Sequence, residues 1–188
     1  MNASTGEPRC SVREMTGTDI DAVSALRVAG WRQAYAGLMP QSYLDRLSPA
    51  EDAGRRRAAF HGAASAGPAG TATNLVAEAP DGSVVGWAAF GPVQGGEGGE
   101  VLPGEGEGEL YALYARPDLI GTGIGRALMD EVLRRGAFTE LLLWVVEGNT
   151  PARRFYERAG FRADGALTSY EVDGVSVPEV RYRRGATA

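Results

Sequence analysis

Between a strand-like run, Glu109-Leu110-Tyr111-Ala112-Leu113-Tyr114-Ala115, and a helix-like run, Gly123 to Arg135, the chain reads Ile120-Gly121-Thr122-Gly123-Ile124-Gly125-Arg126. Glycines at 121, 123 and 125 permit positive φ and let a ligand approach the main chain. N–H groups at a helix start have no partner within the helix, so Gly121 to Arg126 suits an anion. A diphosphate held by backbone donors matches this geometry. Rival nucleotide motifs do not: the third glycine comes one residue early for G-x-G-x-x-G, and G-x-x-x-x-G-K-[ST] is absent. The bland alternative is a turn that only tightens strand–helix packing.

Composition removes other chemistries. All 19 basic residues are arginine, which excludes Schiff-base lysines, pyridoxal-phosphate linkage and the P-loop lysine. A single His61 and a single Cys10 exclude zinc sites built from Cys and His, and no metal is expected. A Ser-His-Asp triad would need His61, which lies in the Ala/Gly-rich stretch His61-Gly62-Ala63-Ala64 and reads as a solvated loop residue. The net charge of −5 and the lack of a long basic cluster argue against nucleic acid as a partner. The longest apolar run, Leu141 to Val146, is too short for a membrane span. With no basic-then-apolar opening segment and no disulfide open to Cys10, the default is a cytoplasmic protein.

The elements that must position the glycine loop follow from patterning. The 188 residues, 44% hydrophobic and 23% charged, suit one domain. Residues 1–10 read as a disordered start, 11–184 as the domain and 185–188 as a tail. Ser11 to Met15 forms a strand. A capping box at Thr18-Asp19-Ile20-Asp21, with Thr18 as N-cap, opens a helix that stops near Gly37. Ser48-Pro49 starts a second helix, and His61 to Gly70 is a loop. Asn74 to Ala79 and Ser83 to Phe90 pair as a hairpin across Asp81-Gly82. Gly91 to Gly108 reads as a long mobile loop, and Glu109 to Ala115 as the next strand. The helix from Gly123 ends at Gly136, and Leu141 to Val146 is a central strand. A helix capped at Thr150-Pro151 places Ala152, Phe155, Tyr156 and Ala159 on one stripe and ends at Gly160. Ala166 to Arg184 closes the chain as a hairpin turning at Asp173-Gly174. The class is mixed α/β.

Asn149, Ala152, Phe155, Tyr156, Gly160 and Phe161, following the strand Leu141 to Val146, resemble Asn-x-x-Ala-x-x-Phe-Tyr-x-x-x-Gly-Phe of the GCN5-related N-acetyltransferase (GNAT) family. Ile120 to Gly125 resembles the acyl-CoA loop of that family, R/Q-x-x-G-x-G/A, at the right distance upstream. Ile120 departs from it by standing where Arg or Gln is usual. The resemblance is specific over roughly 109 to 161. It implies an α/β fold: a mixed, mostly antiparallel sheet of about seven strands, splayed at its centre and flanked by helices. It also implies acetyl-CoA as acyl donor, its pantetheine arm along the backbone of Leu113, Tyr114 and Ala115. The phosphates would sit on Gly121, Thr122, Gly123, Ile124, Gly125 and Arg126, and Asn149 would reach the arm. Homodimers are frequent in the family.

Acetyl transfer to an amine needs a proton removed from an ammonium whose pKa is ~10.4 for a lysine-like amine. It needs an oxyanion stabilised, by N–H groups near Ala115, and a departing thiolate protonated. By resemblance Tyr156 donates that proton. Glu109 is the candidate base, with Glu147 or water as alternatives. Trp31 and Tyr35, at i, i+4, either line an acceptor pocket or complete a buried stripe. Glu97, Glu100, Glu105 and Glu107 either attract a cationic amine or are merely solvated. A small primary amine is the expected acceptor. The alternatives are peptide or protein N-terminal α-amines, or a non-catalytic acyl-CoA sensor.

Overall fold

Both faces of β5 (Glu140–Val146) are covered, which is why its Leu and Val run shows no polar alternation. The computed structural model describes residues 10–66, 72–93 and 106–185. Their other strands are β1 (Ser11–Glu14), β2 (Thr73–Glu78), β3 (Val84–Pro92), β4 (Glu107–Ala115), β6 (Arg162–Val172) and β7 (Val175–Gly185). They form one seven-stranded sheet in the order β1-β2-β3-β4-β5-β7-β6. Every neighbouring pair is antiparallel except β4 and β5. This is the mixed, mostly antiparallel α/β sheet expected from the sequence.

The two parallel strands are joined by α4 (Ile124–Arg135), which packs on one face with α5 (Thr150–Arg158). Ile124, Leu128, Met129 and Val132 of α4 bury against Leu110 of β4, Leu143 of β5 and Tyr182 of β7. The opposite face carries α1 (Ile20–Ala34), α2 (Gln41–Arg46) and α3 (Pro49–Ala66). There Val23 and Leu26 of α1 and Ala53 of α3 pack on Val76 and Trp87, while Leu44 of α2 packs with Val146 and Val177.

The feature that matters for function is a parting of strands. Among the described residues, β4 and β5 pair only at Glu107↔Glu140, Gly108↔Leu141 and Glu109↔Leu142. On its other edge β4 matches Leu110 to Phe90 and Ala112 to Ala89, leaving Tyr111 as an extra residue. Such a bulge bends its strand and sharpens the twist. It comes two residues after the last β4–β5 pair, so β4 turns away from β5 just there.

Several boundaries differ from expectation. Asp19, not Asp21, closes the helix-opening box: its carboxylate accepts from the Thr16 N–H at 2.8 Å and the Thr16 hydroxyl at 2.9 Å. Arg13 fixes that choice by reaching the same carboxylate through two nitrogens at 2.7 and 2.9 Å. The helix α2 was not foreseen; it is short, and Arg32 holds its end by donating to the carbonyls of Leu44 and Leu47. The helix α3 continues through Ala66, into the stretch read as a loop, because alanines favour helix once begun. Strands β3 and β4 take in Gly91–Pro92 and Glu107–Gly108, so the supposed Gly91–Gly108 loop is shorter at both ends; its residues 94–105 lie outside the described residues. Gly136 is right-handed, and the positive φ of 44° falls on Ala137. Of the proposed ends, 1–9 and 186–188 lie outside the described residues; Cys10 packs against the core, and Gly185 belongs to β7.

Candidate active site

Among the described residues, the parted strands leave main-chain groups of β4 without a strand neighbour. The Arg116 N–H donates to the Val85 carbonyl at 2.8 Å. Antiparallel pairing alternates, so Tyr114 is also bonded to β3, opposite Trp87, while Leu113 and Ala115 turn their N–H and C=O toward the split. Of the three residues expected along the coenzyme arm, two thus expose backbone there. Tyr114 instead contributes a ring to the α1 face, stacked on Trp87 with centroids 6.0 Å apart.

Past β4, a short 3-10 turn at Pro117–Leu119 leads into the glycine loop. Gly121 and Gly123 have φ of 85° and 101°, and a Cβ on either would meet nothing within 4 Å. They are needed for backbone shape, and they leave open space above the amides. Gly123 is the N-cap of α4, whose first internal bond runs from the Ala127 N–H to the Gly123 carbonyl. The amides of Ile124, Gly125 and Arg126 precede that bond and face outward as helix-start donors. Gly125 differs from expectation: it is helical, and its Cβ position lies 3.4 Å from Phe155 and 3.6 Å from Leu113, so it serves close packing. Thr122 spends its hydroxyl on the Leu119 carbonyl at 2.7 Å. Arg126 extends into solvent beside Asp130. Ile120 is 63% exposed and offers no donor where the family has Arg or Gln.

Across the split, Asn149 caps α5 by accepting from the Ala152 N–H at 3.2 Å. Its side-chain oxygen therefore orients the helix, and Thr150 is the first helical residue, not the cap. From α5, Tyr156 packs edge-on between Phe155 and Phe161, with centroids 5.3 and 5.9 Å away. Among the described residues its hydroxyl makes no hydrogen bond. Burial, aided by Tyr114, raises its pKa, so it stays a protonated phenol.

Tyr156 and Tyr114 stand on opposite faces of the sheet, yet are close enough for the charge of one to affect the other. On the α1 side, Tyr35 lies near Tyr114, and burial raises its pKa as well. Trp31 meets Tyr35 at 5.0 Å, Tyr43 at 6.2 Å and Tyr170 at 6.3 Å, under the guanidinium of Arg27 at 4.5 Å. Trp31 and Tyr35 thus pack against an apolar cluster with Met39, Leu44 and Val146. Glu109 stands at the foot of the split, in the last β4–β5 pair, and not at a strand end. Glu147 is exposed at the tip of β5. Sequence reasoning passed over Tyr114 as a side chain, and over Glu179, which pairs with Val146 and lies near Tyr35. The only signal for Glu179 was an acidic residue at an inward step of an alternating strand.

The acetyltransferase (GNAT) family model matches residues 31–161. The chain belongs to that family. It is 32% identical over 175 residues to the uncharacterized N-acetyltransferase YuaI of Bacillus subtilis (strain 168), covering 90% of each chain. It is 46% identical over 70 residues to a mycothiol acetyltransferase of Geodermatophilus obscurus, a match covering 36% of this chain and 21% of that one. Among solved structures, the acetyltransferase yncA of Salmonella typhimurium, with its cofactor acetyl-CoA, superposes with a TM-score of 0.66 at 19% identity, covering 96% and 95% of the two chains. A ribosomal-protein-alanine N-acetyltransferase from Brucella melitensis gives 0.69 at 22%, covering 93% and 99%. The protein is an acetyl-CoA-dependent N-acetyltransferase that acts on an amine. The donor set suits the coenzyme: free helix-start amides below two open glycines for the diphosphate, and two unpaired backbone positions for the arm. No helix of the described residues is long and apolar enough to cross a membrane.

Proposed function

We propose that this acetyltransferase modifies a small primary amine by direct attack in a ternary complex, with residues 11–184 as the catalytic unit working in the cytoplasm. The observation that carries the small-molecule reading is the roof over the acceptor side. Arg46 of α2 grips Asp173 in the β6–β7 turn at 2.6 and 2.8 Å, and the Tyr43 and Tyr170 hydroxyls meet at 3.3 Å. An extended peptide needs a groove open at both ends, and in this reading the tie between α2 and the β6–β7 turn obstructs one of them.

In this reading Leu113 and Ala115 bind the arm as a further strand would, and the amides of Gly121 and of Gly123 to Arg126 take the diphosphate, the Thr122 N–H being held by the Leu119 carbonyl at 3.2 Å. Asn149 sets the angle of α5 and thereby aims Tyr156. The N–H groups at Leu113 and Ala115 stabilise the tetrahedral oxyanion. Tyr156 gives its proton to the departing thiolate. A carboxylate on the α1 side takes a proton from the ammonium; Glu109 and Glu147 are the candidates legible in the sequence. A panel of small amines and N-terminal peptides, with acetyl-CoA and thiol detection, tests the proposal. Turnover of small amines above peptides is the expected outcome. Preference for peptides would move the assignment to α-amine acetylation, and coenzyme binding without turnover would make the protein a sensor.

A further inference from the structure

Glu179 has a position and surroundings unlike those of the other carboxylates of the sheet. Its strand alternates, with Val180 and Tyr182 toward α4 and α5 and Val177 toward α2, so Glu179, Arg181 and Arg183 point to the α1–α2 side. Arg181 and Arg183 are both neutralised: each donates to Asp164, at 2.7 and 2.8 Å, and Arg183 also reaches Glu107 at 3.0 Å and Glu140. Among the described residues Glu179 has no cationic partner. It is half-buried, and burial alone pushes its carboxyl pKa up. Burying a charge without a partner costs free energy that folding does not recover. A cation that arrives from outside would supply the missing partner.

Its height in the sheet matches the reacting groups. The parallel register sets Glu109 beside Leu142, so four residues on, Val146 stands level with Leu113, or one residue further because of the bulge. Glu179 is the register partner of Val146. Tyr35 lies within electrostatic reach of Glu179, Tyr114 and Tyr156 together. Glu109 is four residues lower, about 13 Å along the strand.

We propose that Glu179 receives the reacting ammonium of the acceptor and takes its proton, so that the acceptor is a primary amine entering the split as a cation past Tyr35. This rests on the acetyl-transfer reading and names its proton acceptor. The ammonium yields one proton to the Glu179 carboxylate, and the freed lone pair forms the C–N bond to the thioester carbon. The C–S bond then breaks with its electron pair on sulfur, which takes the Tyr156 proton. The second proton, lost from nitrogen as the amide forms, restores the phenol, and Glu179 releases its own to solvent. Amine and thioester thus become amide and thiol with one proton set free.

The phenol of Tyr35 from α1 faces Glu179, with Glu147 next to it at the end of β5, where its N–H donates to the Pro178 carbonyl, and the Arg181–Asp164 pair further along β7. The test measures thiol release from acetyl-CoA with the amine panel, from weakly acidic to alkaline pH, for wild type, E179Q, E179D, E109Q and E147Q. Acetyl-CoA affinity and melting temperature are recorded for each. In wild type, kcat/KM should fall on the acid side as Glu179 protonates, above the ordinary carboxylate range. E179Q should lose that limb and ~10²–10⁴-fold in kcat/KM, with coenzyme affinity intact and melting temperature no lower. E179D should recover part of the rate, which guards against a folding artefact in the glutamine variant. An E179Q enzyme that keeps rate and acid limb, or an E109Q enzyme that alone loses them, overturns the assignment of Glu179 and leaves acetyl transfer standing. No thiol release from wild type with any amine would overturn both.

Discussion

On the α4–α5 side of the split, the groups aimed at a ligand are main-chain amides and carbonyls, carried by one continuous stretch from Leu113 to Arg126. On the α1–α2 side they are side chains: Trp31 and Tyr35 from α1, Tyr114 from β4, Glu179 from β7. In the proposed reading the first surface takes what every acyl-CoA shares, its diphosphate and amide arm, and backbone is enough for that. In the same proposal the second distinguishes one amine from another, which takes side-chain shape and charge. Tyr156 belongs to the first side by position, yet its phenol reaches the gap where both meet.

The comparison breaks most visibly at that tyrosine. Tyr156→Phe keeps the ring between Phe155 and Phe161 and removes only an oxygen with no structural hydrogen bond among the described residues. Single-turnover rates at saturating acetyl-CoA should fall ~10²–10⁴-fold with coenzyme affinity nearly unchanged. Unchanged rates would make Tyr156 a packing residue, and lost affinity would move it wholly to the coenzyme side.

Next in size is acetyl-CoA itself. At about 100 times its dissociation constant it should stabilise the fold by roughly 2.7 kcal/mol, read as a thermal shift, with NAD and ATP doing much less. Gly123→Val probes how that binding depends on backbone. The φ of 101° strains any side chain by ~1–3 kcal/mol, while the Cβ itself meets nothing. The variant should fold, melt lower and bind acetyl-CoA at least about tenfold more weakly. Equal affinity in calorimetry would show that the loop serves packing alone.

A pH experiment on a region remote from both sides sharpens the contrast. Arg13 and Thr16 hold the buried Asp19 carboxyl at about 2, below its unfolded value. A depressed pKa gives stability that is complete above the unfolded value and is lost as pH falls toward the folded one. Asp19 should therefore contribute about 2 kcal/mol at neutral pH, lost as pH drops from about 4 to 2. Asp19→Asn should flatten that acid limb in denaturant titrations and leave kcat/KM unchanged. The smallest effect belongs to Asn149→Ala, which removes a cap worth about 1 kcal/mol. It should weaken coenzyme binding only slightly; a loss of catalysis as large as that in Tyr156→Phe would mean that the angle of α5 limits the chemistry.

The glycine loop and the α5 stripe were legible in the amino-acid sequence because each is a local object. Gly121 and Gly123 are required by dihedral angles within their own turn, and Ala152, Phe155, Tyr156 and Ala159 by the period of their own helix. The acceptor side was not legible. Trp31 and Tyr35 could be placed on one helix face, but what that face meets depends on Tyr43, Tyr114 and Tyr170, which are distant in sequence. The capping box was misread by two residues because Arg13 of β1, six positions before Asp19, decides which aspartate is held.

The residues alone thus determined the fold class, the shape of the glycine loop and the family, since spacing, glycine and helix period are properties of neighbouring residues. Only the tertiary structure decided where β4 and β5 part and that, among the described residues, Glu179 stands half-buried without a cationic partner. Pairing register and a one-residue bulge set the parting, and burial without a cationic neighbour sets the state of Glu179. Each depends on strands that meet across twenty or more residues of chain, which no local pattern encodes.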